Sequence, residues 1–419
     1  MTILDASGNM VTSITQLPAE AVKLPQCQQT SLLTTAGGFP DNWGQLSAEA
    51  QASHPINLPI MQLAFTVYQS PSVFENCIKQ WGVSSVQAIT KTVPTFYSNA
   101  VAHVVRVGNE RLFVLFKGSD ATNWIQNMEC AHTEPVGDLF GARGSDLRVH
   151  SGFWAGWKAL ETDVTKEVLS FAKEAPTGKV YVVGHSLGAA LGALAALRLV
   201  NILPASNEVA GVWLLGSPRV GNPTWKAMYN ALLLPKTLRV TNFLDFAARM
   251  PRQQQSCSTS GGVLNVLGST TAYSYAHVGR SLLMCPTNNG LNSWTIAGMG
   301  SEVIDCPGLS QSDVDGSAAT HLLGSYFDSW RRGYYARTGS NIVNDPRVTG
   351  VLCEQCTMRR GTRLTQISVP ARAGGPVTCG VDASCTSQAA WNAATAVRQT
   401  STVKFGGMSV CNGYICSDS

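Results

Sequence analysis

Apolar residues first take on a regular spacing near residue 58. A helical period runs over Leu58–Tyr68 and resumes over Val73–Trp81. The pattern then shortens to that of paired strands, with Ala102–Val107 and Arg111–Phe116 separated by a turn at Glu110–Arg111. Phe153, Trp157, Leu160, Val164, Val168 and Phe171 recur every three or four positions, which predicts one long helix over Phe153–Ala175. Lys179–Val183, Val209–Leu215 and Leu238–Phe243 are short, unbroken apolar runs that read as buried strands. An Ala/Leu-rich helix over Leu187–Val200 stands between the first two. Strands alternating with helices predict an α/β fold with a mostly parallel central sheet. Residues 1 to 56, rich in Gln, Ser, Thr, Ala, Pro and Gly, read as an extended leader. Residues 57–335 form the α/β unit, and residues 336–419 form a separate C-terminal segment.

Composition narrows the picture. The chain has 419 residues, 44% of them apolar and ten of them Trp, which excludes disorder. Its net charge of +4 is too weak for a nucleic-acid binder. No uncharged apolar stretch is long enough to cross a membrane as a helix. Twelve cysteines in a chain with only 13% charged residues predict an oxidising compartment and several disulfides. Six of them follow Gly333, so the last segment is expected to be a small disulfide-stapled appendage. It also carries eight Lys/Arg against four Asp/Glu, an excess equal to the whole net charge. Cys353-x2-Cys356 could open a zinc site, but the later cysteine pairs have the wrong spacing and no His follows His321. No metal or organic cofactor is expected. The first twenty residues lack a basic start followed by an apolar run, so no signal peptide is read there.

Candidate chemistry centres on Gly184-His185-Ser186-Leu187-Gly188. A predicted strand precedes this G-x-S-x-G pentapeptide and a predicted helix follows it. That context turns a short motif into a strong one, because a sharp strand-to-helix turn lifts the serine hydroxyl off the sheet. The backbone N–H of Leu187 then opens a helix and can face a developing oxyanion. A hydroxyl nucleophile needs a base, and the base needs a carboxylate. Asp245, just beyond the strand Leu238–Phe243, is the candidate acid. His277 and His321 are the histidines downstream of Ser186, and spacing alone does not choose between them.

A series of further motifs occurs in order. It comprises Phe116-Lys117-Gly118-Ser119, Asn123-Trp124-Ile125, Val149-His150-Ser151-Gly152-Phe153, the pentapeptide, Gly216-Ser217-Pro218-Arg219-Val220-Gly221, Asp245 ahead of Met250-Pro251, Tyr275-Ala276-His277-Val278-Gly279, and His321 ahead of Tyr326-Phe327. In this series the chain resembles the class 3 (fungal-type) lipases of the α/β-hydrolase fold over roughly residues 58–335. The resemblance implies that His321 is the base and His277 a structural histidine, and that Ser119 supplies a second oxyanion donor. Lys117 stands where the family usually has Arg, and two extra residues separate His321 from Tyr326-Phe327. A serine carboxylic-ester hydrolase is therefore expected, foremost a secreted, monomeric triacylglycerol lipase acting at an oil–water or membrane interface. A feruloyl or other polar-ester esterase, or a phospholipase A1, is the alternative on the same scaffold. An inactive hydrolase domain that serves as a binding protein is the remote one. Trp124, Ile125 and Met128 share one side of a helical turn within a long segment after Ser119, and are expected to face a lid over the site.

Overall fold

The computed structural model describes residues 39–68, 85–92, 99–119, 135–141, 145–258, 270–286, 292–298 and 323–338. It also describes isolated positions that include Phe74, Ile78, Glu302, Cys306 and His321, and a short strand pair near residues 410–415. The ordered strands are β1 (Ser85–Thr92), β2 (Asn99–Val107), β3 (Arg111–Phe116), β4 (Lys179–His185), β5 (Glu208–Leu215), β6 (Thr237–Asn242), β7 (Gln254–Ser258), β8 (Thr270–Ser274), β9 (Arg280–Pro286) and β10 (Asn292–Ala297). Eight of them form one sheet in the order β1-β2-β3-β4-β5-β6-β9-β10, while β7 and β8 pair separately. The pairs from β3 through β9 are parallel, and the pairings at both edges are antiparallel. The sheet is mostly parallel, as the alternation of strand and helix predicts, and its layout is that of the α/β-hydrolase fold implied by the resemblance.

The parallel strands are buried on both sides, which is why their sequences read as continuous apolar runs. Along β4, Val180 and Val182 enter one core, and Tyr181 and Val183 enter the other. The first core lies beneath α3 (Ser151–Glu174), α4 (Leu187–Ile202) and α5 (Pro223–Leu233). All six residues of the long helical pattern, from Phe153 to Phe171, are buried there. His150 caps this helix, its Nδ1 accepting the N–H groups of Gly152 and Phe153 at 3.1 and 3.3 Å.

The second core is covered by two pieces from opposite ends of the chain. One is residues 39–67, with α1 (Ala48–Ala52) and α2 (Asn57–Thr66); the other is α6 (Leu323–Thr338). Here the expected boundary of the leader needs correction. Phe39, Trp43, Ala52 and Ile56 fall within the stretch read as an extended leader, yet all are buried against the sheet. Phe39 packs edge-on against Tyr181, and Trp43 lies 4.5 Å from Trp213 between ring centres. The Gln51 amide donates to the carbonyls of Trp43 and Pro235, both at 2.7 Å, and Trp330 donates to the Ala52 carbonyl. Single apolar residues among Gln, Ser and Ala carry no period, so composition concealed their burial. The remainder of the leader lies outside the described residues.

Among the described residues, Cys285 and Cys306 form a disulfide that ties the end of β9 to the segment beyond β10. It lies within the α/β unit. The tail cysteines expected to staple the C-terminal segment lie outside the described side chains. No helix among the described residues is long and apolar enough to cross a membrane.

Candidate active site

Ser186 sits between β4 and α4 with φ 61° and ψ −130°, a left-handed backbone that costs a non-glycine residue about 1–3 kcal/mol. The flanking glycines permit this turn. A Cβ on Gly184 would stand 2.2 Å from the Gly188 carbonyl oxygen, and one on Gly188 would stand 2.2 Å from that of Phe116. The second approach draws the start of α4 against the end of β3. The Ser186 N–H is tied to the Leu215 carbonyl of β5 at 2.9 Å. The side chain is thereby presented at the carboxyl ends of the parallel strands, where ligands of open α/β sheets bind.

Asp245 lies just past β6, its N–H bonded to the Asn242 carbonyl. His321 lies just ahead of α6. The two residues meet although 76 positions separate them, with His321 Nδ1 at 2.8 and 2.9 Å from the two carboxylate oxygens. His321 Nε2 is 2.8 Å from Ser186 Oγ. A carboxylate only accepts, so Nδ1 carries the ring proton, and the Nε2 lone pair faces the serine hydroxyl. Asp245 is fully buried and accepts two further bonds, from the Ala247 N–H at 2.8 Å and from the Tyr326 hydroxyl. Burial and the carboxylate charge push the Tyr326 phenol well above its usual range, so it remains a donor. Serine hydroxyl, imidazole and buried carboxylate thus form one continuous hydrogen-bonded chain. Such a chain can move a proton from oxygen to nitrogen while holding the resulting imidazolium.

His277 is buried elsewhere in the hydrogen-bond network. Its Nε2–H donates to the Ala248 carbonyl at 2.8 Å, and its backbone N–H donates to Glu302 at 2.7 Å. Burial and the nearby Arg239 and Arg219 hold its ring well below the usual imidazole range. Glu302 also pairs with Arg219 and Lys226. Spacing left two histidines open; the structure brings His321 to Ser186 and Asp245.

Ser119 is half-buried three residues beyond β3, and Leu187 is the first residue of α4. A Cβ on Gly118 would lie 3.0 Å from Ser186 Cβ, so the segment leading to Ser119 passes directly beside the serine. The first bonds of α4 run from the Ala189 and Ala190 N–H groups to the Ser186 carbonyl at 2.9 and 3.4 Å, so the Leu187 N–H stands ahead of the intrahelical ladder. Trp124, Ile125 and Met128 lie outside the described residues. The Tyr326 bond to Asp245 was missed in the sequence. Its only signal was the Tyr-Phe pair after His321, which marked a motif without assigning it a contact. His185, the variable residue of the pentapeptide, is packed against His321 with ring centres 4.6 Å apart.

Residues 113–255 match the family model described as lipase (class 3). Part of the chain is 35% identical over 115 residues to a secreted mono- and diacylglycerol lipase A of Penicillium cyclopium, covering 27% of this chain and 35% of that protein. A Rhizomucor miehei lipase is 31% identical over 170 residues, which cover 39% of this chain and 44% of the relative. The chain thus spans less than half the length of these curated relatives. A chloroplastic/mitochondrial phospholipase A1 of Oryza sativa subsp. indica is 27% identical over 198 residues, 42% of this chain and 43% of that one. Among solved structures, the triacylglyceride lipase of Rhizomucor miehei superposes with a TM-score of 0.49 at 22% identity, covering 69% of this chain and 98% of the other. The matched stretch of the family model contains Ser186 and Asp245 and ends before both candidate histidines.

Proposed function

Since residues 113–255 belong to the class 3 lipase family, we propose that the chain is a serine carboxylic-ester hydrolase acting on acylglycerols. The observation that carries this reading is the unbroken Ser186–His321–Asp245 chain at the carboxyl ends of the sheet. Ser186 Oγ attacks the ester carbonyl as its proton passes to His321 Nε2. Asp245 holds the imidazole in the required tautomer and stabilises the imidazolium, with Tyr326 and the Ala247 N–H keeping the carboxylate in place. The tetrahedral oxyanion is held by the Leu187 N–H and by Ser119. His321 then protonates the departing alcohol, and water repeats the sequence on the acyl-enzyme. No metal or organic cofactor enters this scheme. The protein works as a secreted monomer at a lipid surface, in keeping with the Cys285–Cys306 disulfide and the secreted relative. Trp124, Ile125 and Met128 are assigned to its lid.

The test is hydrolysis of emulsified tributyrin and triolein beside dispersed phosphatidylcholine and dissolved methyl ferulate, with Ser186→Ala as the blank. Turnover of the triglycerides that Ser186→Ala abolishes is the expected result. Turnover of phosphatidylcholine alone would move the substrate to phospholipids, the activity named for the rice relative. Turnover of the ferulate alone would make the protein a polar-ester esterase.

A further inference from the structure

The reaction scheme leaves one buried imidazole beside the base without a task. His185 ends β4 on the face that Tyr181 and Val183 share, the face covered by α2 and α6. Its Nε2 is 2.8 Å from the backbone carbonyl oxygen of His321, and its Nδ1 is 2.8 Å from the Tyr68 hydroxyl. A carbonyl can only accept, so Nε2 carries the proton and donates it there. Nδ1 keeps its lone pair and accepts the Tyr68 O–H. Both ring nitrogens are therefore committed, each in one direction.

The ring is also fixed by its faces. It stacks on the His321 imidazole at 29°, and lies edge-on to Tyr68 and to Tyr326 at 5.8 and 6.0 Å. The titratable groups facing it are Tyr68 from the end of α2, His321 and Tyr326, with Asp245 behind them and the Lys117 ammonium 5.9 Å over the Tyr68 ring. Burial first, and the charge of His321 second, hold His185 well below the usual imidazole range. A neutral ring can lie flat against an imidazolium, whereas a charged one at this distance would oppose its formation. Gly118 gives Tyr68 its place, since a Cβ there would stand 2.0 Å from the Tyr68 hydroxyl.

We propose that Tyr68 and His185 are positioning residues for ester hydrolysis. The Tyr68 hydroxyl orients the His185 ring, and the ring's Nε2–H grips the His321 carbonyl, so that the base keeps its contacts with Ser186 and Asp245 together. This inference rests on the ester-hydrolase reading. Its physical basis is that displacing a reacting group by about 1 Å costs on the order of 10²-fold in rate. A residue just ahead of a helix, as His321 is, gains registration from a second anchor on the sheet.

The experiment titrates Ser186 with a fluorescent alkyl phosphonate, then measures kcat per titrated site and KM on a dissolved short-chain ester. Tyr68→Phe removes one hydroxyl and is expected to lower kcat per site about fivefold, with KM unchanged. His185→Phe keeps a ring but removes both bonds, for an expected loss of about 50-fold. His185→Gln, whose amide can still donate to the His321 carbonyl, is expected to recover to within about tenfold of the parent. In the same order, the low-field proton resonance of the His321–Asp245 bond should broaden in His185→Phe and sharpen again in His185→Gln. Variants that lose titratable sites while keeping the parent kcat per site and a sharp resonance would overturn the positioning role. So would a rise in KM alone. Failure of the parent protein to be labelled at Ser186 would instead overturn the ester-hydrolase reading itself.

Discussion

The two faces of the central sheet are built in opposite ways. One is covered by α3, α4 and α5, which lie within a single stretch of about eighty residues of chain. The other is closed by residues 39–67 and by α6, brought from opposite ends of the described chain. The difference matters because the candidate site straddles them. Ser186 stands at the head of α4, whereas His321, Tyr326, Tyr68 and the ring of His185 belong to the second face. The nucleophile comes with a local motif; its partners depend on distant segments docking correctly. Activity should therefore be sensitive to the second face even at positions remote from the serine.

The largest effect expected from separating these contributions is at the carboxylate. Asp245→Asn keeps the shape but favours the wrong imidazole tautomer, and kcat on a dissolved ester should fall about 10⁴-fold. Retention of the folded state is checked by near-ultraviolet circular dichroism. A loss under tenfold would mean that Tyr326 and the Ala247 N–H orient the base without help from a charge.

A matched pair of core truncations addresses the faces directly. Trp43 on the second face and Trp157 on the first are both buried, at 1% and 0% exposure. Each Trp→Ala change should cost about 3–5 kcal/mol in urea unfolding. Near-equal costs would establish that residues 39–56 are part of the folded unit. A negligible cost for Trp43→Ala would restore the leader boundary read from composition.

Acid sensitivity should also lie on the second face. His103 on β2 is buried against Phe74, and burial, with the Lys117 charge second, lowers its imidazole to about 4. The unfolded imidazole titrates near 6.5, so the unfolded chain takes up the proton first. Stability contributed by this group is full above about pH 6.5, declines as pH falls toward 4, and levels off below that. The decline should be roughly 3 kcal/mol for this one residue. His103→Leu should flatten the fall in urea midpoint between pH 7 and pH 5; an unchanged fall would assign it to other groups.

Legibility followed the same division. The long period of α3 and the apolar runs of β4, β5 and β6 announced themselves, because a buried helix stripe and a doubly buried strand leave dense local patterns. Ser186 and Asp245 could be placed from those elements alone. β1 was not recognised, since an edge strand such as Ser85–Thr92 mixes Gln, Thr and Lys with its few apolar residues. β9 and β10 were missed for want of a clean alternation. Trp43 and Tyr68 gave no warning, because an isolated aromatic shows nothing of the partner it will meet. The choice between His277 and His321 was beyond spacing for the same reason. The contact that decides it joins residues 135 positions apart, and the resemblance to a family named the histidine that the fold then brought into place.

The central claim is that Ser186 and His321 act as one unit. The most direct measurement is a cycle of Ser186→Ala, His321→Ala and the double variant, with His277→Ala as the control for burial. Each single change should lower kcat by about 10⁶, and the double variant should be no slower than either, because half a proton-transfer chain works no better than none. His277→Ala should reduce folded yield while leaving the rate per phosphonate-titrated serine within a few-fold of the parent. Losses at Ser186 and His321 that multiply in the double variant, or a collapse of the per-site rate in His277→Ala, would contradict the account.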